Sequence, residues 1–440
     1  MTIITCSLAP LLLLALSAAA APTNHSLPRR APGSSNVVGS CGVSAQHMFV
    51  GTNDKVYLLD RSDSNPLKLA NGDPATAAEW SLSANECRAM QVESNQFCAG
   101  GGVLSDGTWA NVGGNPVQNG NFQTDGLRAI RHMKPCDNDS CQWAESTDVQ
   151  LQVPRWYPSV ETMDDGSVII FGGYDKQVFL PLPKDGNAAS AEYFPSKGKP
   201  QDVPVLDRAW PFSMYPLTSH LSDGRIFMVA GSETAIWNPA DASEVQLPKM
   251  PNGPRTYPGG GASVLMPLTP DNDYEETFMA CGGTILADWG DAACPPDNAY
   301  KTPAHAKCDM IKPLAKNPQW TSAADLPSRR VMGNFIILPT GELMLVNGAE
   351  NGVQGYVCGP GESQAINPAL VPQLYNPKTN KWSEMAATTV PRGYHSSATL
   401  LPDGSVMTAG SSPHADVSKA GPFPTGECAR GSATSKGIRG

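Results

Sequence analysis

The sequence predicts an all-β chain folded as a seven-bladed β-propeller. Three observations predict it. Five segments repeat one pattern, an apolar run, a polar-glycine turn, a second apolar run and a closing glycine: Leu104–Gly113, Met163–Gly172, Leu221–Gly231, Leu338–Gly348 and Leu401–Gly410. Their turn glycines fall at 107, 166, 224, 341 and 404, a nearly constant spacing with one double step. The 42 glycines and 40 prolines supply many turns, while no long segment carries the 3.6-residue apolar period of a helix. A fixed period marks units that bury their faces against one another, and radial packing of small sheets is a propeller.

The elements follow in order. Met1–Ala21 reads as a secretory signal (1–21), with an apolar centre at Leu11–Leu14 and small residues at Ser17–Ala21. Residues 22–40 read as a linker or propeptide, and Leu27–Arg30 fits a dibasic processing site and a charged linker equally well. Lys55–Asp60 is a partial first copy. The turns Asp106-Gly107, Asp165-Gly166, Asp223-Gly224 and Asp403-Gly404 are hairpin signals, because Asp and Gly tolerate positive φ. Thr340-Gly341 takes the same place. The skipped copy is assigned to Tyr257–Gly283, which keeps a second strand but lacks the turn. Tyr375 and Trp382 have the spacing of outer kelch-type strands, and Thr234–Pro239 is a partial version. The propeller is therefore placed at 41–416. Residues 417–440 are poor in apolar residues and are expected to be a disordered, divergent tail.

The formal net charge is −10, and no stretch after the leader is long and apolar enough to span a bilayer. Both argue against nucleic acid and membrane as partners. Eleven cysteines in a secreted chain imply disulfides. The expected pairs are Cys41–Cys87, Cys136–Cys141, Cys294–Cys308 and Cys281–Cys358. Cys6 leaves with the leader, and Cys428 is left over. Asn138-Asp139-Ser140 is a glycosylation acceptor sequence, as is Asn24-His25-Ser26.

The turns also supply a ruler. Eight residues before the residue that precedes each turn glycine lie Cys98, Tyr157, Tyr215, Met332 and His395. A thiol, two phenols and an imidazole thus share one register on the strands that line the axis. Tyr394 adjoins His395, and Tyr257 is a further candidate lining phenol. Each has a plainer reading: a small buried thiol, phenols bonded to backbone, a structural imidazole. His47, His132, His220 and His305 are read as structural or exposed.

The phrases Phe97-Cys98-Ala99-Gly100-Gly101, Arg155-Trp156-Tyr157-Pro158 and Arg392-Gly393-Tyr394-His395, at fixed offsets in one repeat, resemble the copper radical oxidases, and within them the glyoxal oxidase branch more than galactose oxidase. The resemblance runs from about Gly42 to Asp416. It implies a Cys98–Tyr157 thioether that serves as radical cofactor. Tyr157 and His395 would be equatorial copper ligands, and Tyr394 an axial ligand and base. It implies oxidation of small aldehydes of the glyoxal or methylglyoxal type to acids, with O2 reduced to H2O2, and peroxidases as consumers of that peroxide. Mixed N and O donors suit Cu(II).

The chain departs from the family pattern in two places. The family's second histidine ligand comes from a C-terminal β-sandwich, which is missing from this sequence. A truncated gene product or a short form with little activity is therefore expected, and His414 is a weak replacement. The Trp that stacks on the thioether in the galactose oxidase branch is absent, because Gly172-Gly173 leads into Tyr174, which could cover the sulfur instead. The rival reading is a non-catalytic kelch-type propeller binding extracellular glycan or protein.

Overall fold

The protein was analysed as a computed structural model, which describes residues 33–60, 62–116, 124–176, 184–285, 298–356, 362–424 and 433–434. The signal, most of the 22–40 linker, Cys294, Cys358 and Cys428 lie outside the described residues.

Almost all regular structure is antiparallel strand. The first sheet runs β1 (His47–Val50), β2 (Lys55–Leu59), β3 (Ala77–Ser81), β4 (Glu86–Met90). The second is β5 (Gly100–Val103), β6 (Trp109–Val112), β7 (Ile130–Met133). The third is β8 (Ser159–Thr162), β9 (Val168–Phe171), β10 (Ser190–Phe194), β11 (Gln201–Asp202). The fourth is β12 (Leu217–His220), β13 (Ile226–Ala230), β14 (Glu233–Trp237), β15 (Glu244–Leu247). The fifth is β16 (Ala262–Leu265), β17 (Phe278–Cys281), β18 (Cys308–Ile311), β19 (Thr321–Ser322). The sixth begins with β20 (Asn334–Ile337) and β21 (Leu343–Val346). It inserts the separate hairpin β22 (Ala349–Tyr356) and β23 (Ser363–Pro368), then finishes with β24 (Gln373–Asn376) and β25 (Lys381–Glu384). The hairpin β26 (Ser396–Leu400) and β27 (Ser405–Gly410) comes last, bordered by the two-residue β28 (Ala433–Thr434).

The expected seven blades are thereby corrected to six. The seventh sector falls short of a full blade: it holds the hairpin β26–β27 and only a two-residue third strand, which comes from the remote segment 433–434. Even so, the hairpin seats itself beside the first blade: Ser397 Oγ donates to Ala45 O and Gln46 O, each at 3.0 Å.

The second strand of each sheet explains why the repeats contain short all-apolar runs. Side chains alternate across a strand, and both faces of these sheets are covered. In β9, Ile169 and Phe171 pack on the fourth sheet, while Val168 and Ile170 pack on the second. In β17, Phe278 and Ala280 face one neighbour, and Met279 and Cys281 the other. The skipped copy is where expected, with β16 and β17 joined by a long connection in place of a tight turn.

The closing glycines are sites of close approach. A Cβ on Gly282, whose φ is +64°, would overlap Arg330 O. Gly113 stands in the same relation to Arg155 O. Gly282→Ala is expected to cost about 2–5 kcal/mol, adding left-handed strain to overpacking against rigid backbone, and to lower the unfolding midpoint in a denaturant titration.

Disulfides form at Cys41–Cys87 and Cys136–Cys141, as expected. Cys308 pairs with Cys281, not with Cys294, which also removes the Cys281–Cys358 assignment. The reason is sheet register: Cys281 and Cys308 are direct partners on β17 and β18, with Cα atoms 4.1 Å apart. The tail assignment is also narrowed. Phe423 is fully buried against Gly393, so the chain remains packed on the propeller to residue 424. No helix among the described residues is long and apolar enough to cross a membrane.

Candidate copper site at the propeller axis

Each residue found by the turn ruler sits one or two positions before an innermost strand, in left-handed backbone: Cys98 (φ 56°), Tyr157 (63°), Tyr215 (45°), Met332 (60°) and His395 (61°). The skipped copy supplies Gly260 (61°) at the matching place. For a residue with a Cβ this conformation costs about 1–2 kcal/mol. Hydrogen bonds between blades offset it. Tyr157 N donates to Cys98 O at 3.0 Å, Tyr215 N to Tyr157 O at 2.9 Å, and Met332 N to Gly260 O at 2.7 Å. Cys98, Tyr157 and Tyr215 are thereby linked in one run and Gly260 with Met332 in another.

The arginines before them carry a second repeated device that was not recognised in the sequence. Arg155, Arg255, Arg330 and Arg392, together with Arg131, are buried. Each donates to a carbonyl at the end of a second strand: Gly172, Ala280, Asn347, Gly410 and Gly113 respectively. The visible signal was Arg two residues before Tyr157, Tyr257 and Met332, and three before His395.

Cys98, Tyr157, Tyr394 and His395 are all brought to the axis. Cys98 and Tyr157 belong to one buried cluster with Phe97 and Trp156. The Cys98 sulfur lies 3.7 Å from the Tyr394 hydroxyl and 3.9 Å from His395 Nε2. The Tyr394 and His395 rings are 3.7 Å apart. His395 Nδ1 is 2.8 Å from Ser412 O. A carbonyl only accepts, so Nδ1 carries a hydrogen, and in the neutral ring Nε2 is the nitrogen with the lone pair, facing the Cys98 sulfur. A cavity of about 500 Å³ opens beside these groups, lined by Gln46, Cys98, Tyr215, Met332, Tyr394 and His395 among others.

The phenols are held protonated. Burial, then Cys98 and the Tyr257 and Tyr394 phenols, push Tyr157 well above the ordinary tyrosine range. Burial and the neighbouring Cys98 do the same to Tyr394. Tyr215 is raised likewise, and its hydroxyl donates to Ala99 O at 3.0 Å.

Some placements differ from expectation. Tyr174 stacks on Trp210 at 5.8 Å, and the rings beside Tyr157 are Trp156 at 4.7 Å, Tyr257 at 4.6 Å and Tyr215 at 5.2 Å. His414 does not reach the axis as a replacement donor. Its Nε2 is 2.8 Å from Phe423 O, and its Nδ1 faces Glu362 at 3.8 Å. Two neighbours of the site were missed. Gln46 Nε2 approaches Cys98 Sγ at 3.8 Å, and the Tyr356 ring stands 6.0 Å from Phe97 and 6.3 Å from His395. Gln46 precedes a strand with no Asp-Gly turn, and Tyr356 lies on the inserted hairpin, so neither follows the repeat.

A family model described as glyoxal oxidase N-terminus matches residues 46–428. The chain belongs to the glyoxal oxidase family. Members of this group are copper radical oxidases, and the resemblance drawn from the three phrases is borne out. The chain is 32% identical over 388 residues to an aldehyde oxidase GLOX of Vitis pseudoreticulata, covering 82% of this chain and 68% of the relative. It is 27% identical to aldehyde oxidase GLOX1 of Arabidopsis thaliana, covering 81% and 58%. A WSC domain-containing protein of Arthroderma benhamiae is 31% identical, covering 79% and 36%. The glyoxal oxidase-like chain thus spans from about a third to two thirds of the length of these curated relatives. Among solved structures, a fungal alcohol oxidase of the AA5 family in complex with copper superposes with a TM-score of 0.62 at 16% identity, over 91% of this chain and 76% of that one. That likeness supports the all-β propeller fold.

Proposed function

We propose that this chain is the catalytic propeller of a secreted copper radical oxidase that converts small aldehydes of the glyoxal type, as their hydrates, to carboxylic acids while O2 becomes H2O2. The observation that carries the reading is the convergence of thiol, phenols and imidazole at one buried point on the axis, from blades far apart in sequence. The three disulfides, with the N-terminal apolar leader, support an oxidising, extracellular destination.

The donor set fits copper. His395 offers Nε2, oriented by the Ser412 carbonyl, and Tyr157 and Tyr394 offer phenolic oxygens. Copper, when bound there, supplies one-electron redox chemistry and polarises the substrate oxygen. The protein's own groups do the rest. Tyr394 Oη, once its own proton has been displaced by the metal, would accept the proton of the substrate hydroxyl. Cys98 Sγ and the Tyr157 ring join with loss of the thiol hydrogen and one ring hydrogen, and O2 takes up both with their electrons as H2O2. The joined ring is the group that would hold the second oxidising equivalent, once a further oxidant such as another O2 has withdrawn one electron from it. The buried aromatic wall of Phe97 and Trp156 keeps water from that ring.

The test is intact mass after aerobic copper treatment. The oxidase reading expects a mass lower by two hydrogens and a peptide map linking Cys98 to Tyr157. Unmodified residues would favour a binding module without chemistry. Because burial keeps Tyr157 and Tyr394 protonated at neutral pH, metal has to displace their protons. Apparent copper affinity is therefore expected to fall as pH is lowered, by up to roughly two log units per pH unit, in competition titrations between pH 6 and 8.

A further inference from the structure

The chain does not leave the site when β27 ends. Its next two residues pair with the stretch that carries Tyr394 and His395. Gly393 N donates to Ser411 Oγ at 3.0 Å, Ser411 N to His395 O at 2.8 Å and Ser412 N to Tyr394 O at 3.1 Å. In return, His395 Nδ1 donates to Ser412 O at 2.8 Å.

The backbone beyond Ser412 is pinned as well. His414 is buried, and its Nε2 donates to Phe423 O at 2.8 Å. Ala415 N donates to Glu362 Oε2 at 3.1 Å, and Ser64 N to Asp416 Oδ1 at 3.0 Å. The chain then comes back to the site. The Phe423 ring is fully buried in the cluster that holds Met332 and Tyr394, and a Cβ on Gly393 would lie only 2.9 Å from it. Residues 411–424 thus form a strap that meets Gly393–His395 at both ends, and the bond from His414 to Phe423 ties the ends together.

We propose that His414 and Phe423 are positioning residues for the copper donors: they close this strap, which holds the Ser412 carbonyl against His395 Nδ1 and thereby fixes the direction of Nε2. This rests on the oxidase reading given above. A carbonyl that accepts the second ring N–H of a metal-binding imidazole sets its tautomer and orientation and raises its basicity. It can do so only while its own peptide is held. Sheet pairing with β26 ends at Gly410, and Ser411 sits in left-handed backbone (φ 90°), which a residue with a Cβ keeps only where its surroundings enforce it. The strap supplies that enforcement. Its far end resists withdrawal because a fully buried aromatic ring would have to enter water.

The experiment compares wild type, His414→Leu, His414→Gln, Phe423→Leu and Phe278→Leu as the full 440-residue chain loaded with copper(II). Leucine at 414 fills the space without a donor, whereas glutamine keeps an N–H for Phe423 O. Phe278→Leu is a control at a buried ring between the fourth and fifth sheets. Competition titration gives the copper dissociation constant. Pulsed EPR gives the quadrupole coupling of the remote nitrogen of a copper-bound imidazole, here Nδ1, which rises when its hydrogen bond weakens. A denaturant titration gives stability. His414→Leu and Phe423→Leu are expected to weaken copper binding by roughly tenfold and to raise the Nδ1 coupling. His414→Gln stays near wild type in both. Phe278→Leu lowers the unfolding midpoint and moves neither copper readout. Wild-type affinity and coupling in folded His414→Leu and Phe423→Leu chains overturn the proposal and leave the oxidase reading standing. A wild-type copper complex with no imidazole signal overturns the donor set of that reading, and the strap's role with it.

Discussion

Cys98→Ser abolishes the two-hydrogen mass loss on copper and oxygen treatment, and the population of the oxidised ring at a fixed potential falls by about a thousandfold, taking with it any peroxide release. The substitution preserves the volume at a site that is only 1% exposed, so the fold is retained. What it removes is the sulfur that would join the Tyr157 ring and make its oxidation easier. Each 59 mV of added difficulty costs about tenfold in the oxidised population of a one-electron couple. A loss near 0.2 V is therefore sufficient for roughly a thousandfold. Copper content, measured in parallel, is expected to stay near wild type, since the imidazole and phenols remain. A Cys98→Ser protein with undiminished turnover would show that the thiol has no redox role.

Arg155→Met produces the largest loss of stability, about 3–5 kcal/mol. The guanidinium is fully buried and donates to Glu192 Oε1 at 2.9 Å, Gly172 O at 2.7 Å, Ser190 O at 3.0 Å and Ser190 Oγ at 2.9 Å. Methionine fills the space but leaves the Glu192 carboxylate buried with only the Gln152 and Val153 N–H groups, and three acceptors lose a donor. Adding Glu192→Gln to the same chain removes the uncompensated charge and is expected to recover part of the loss in a double-mutant cycle. The cost does not stop at folding. Arg155 is two residues from Tyr157, so its bonds to the second-strand ends fix where that phenol enters the axis. A stable, fully active Arg155→Met protein would contradict this account of how the blades position the site.

Much of this architecture was legible because turn chemistry is local. Asp106-Gly107 and its counterparts announce hairpins, and equal spacing converts them into a register that finds Cys98, Tyr157 and His395. Where the chemistry is not local, the sequence was silent or misleading. Gly260 holds the same register as Cys98 but precedes no tight turn, so the ruler passed over it. Cys308 was matched to the nearer Cys294, whereas sheet register sets it against Cys281. The seventh blade was counted whole because Leu401–Gly410 is a full copy, while its third strand depends on a remote segment. In the sequence Arg155 and Arg392 stand inside the phrases that carry the resemblance, with no role of their own assigned. Only the structure shows that their donors close the ends of second strands, where backbone carbonyls would otherwise be buried without partners. Tyr257 and Tyr356 reach the site from outside the register, and packing alone brings them there.

The most direct test is anomalous scattering at the copper edge from crystals of the copper-loaded chain. The account predicts one strong axial peak bonded to His395 Nε2 and to the hydroxyl oxygens of Tyr157 and Tyr394, with continuous density from Cys98 Sγ to the Tyr157 ring. A peak elsewhere on the chain, or His395 turned away from the axis with Cys98 and Tyr157 separate, would contradict it.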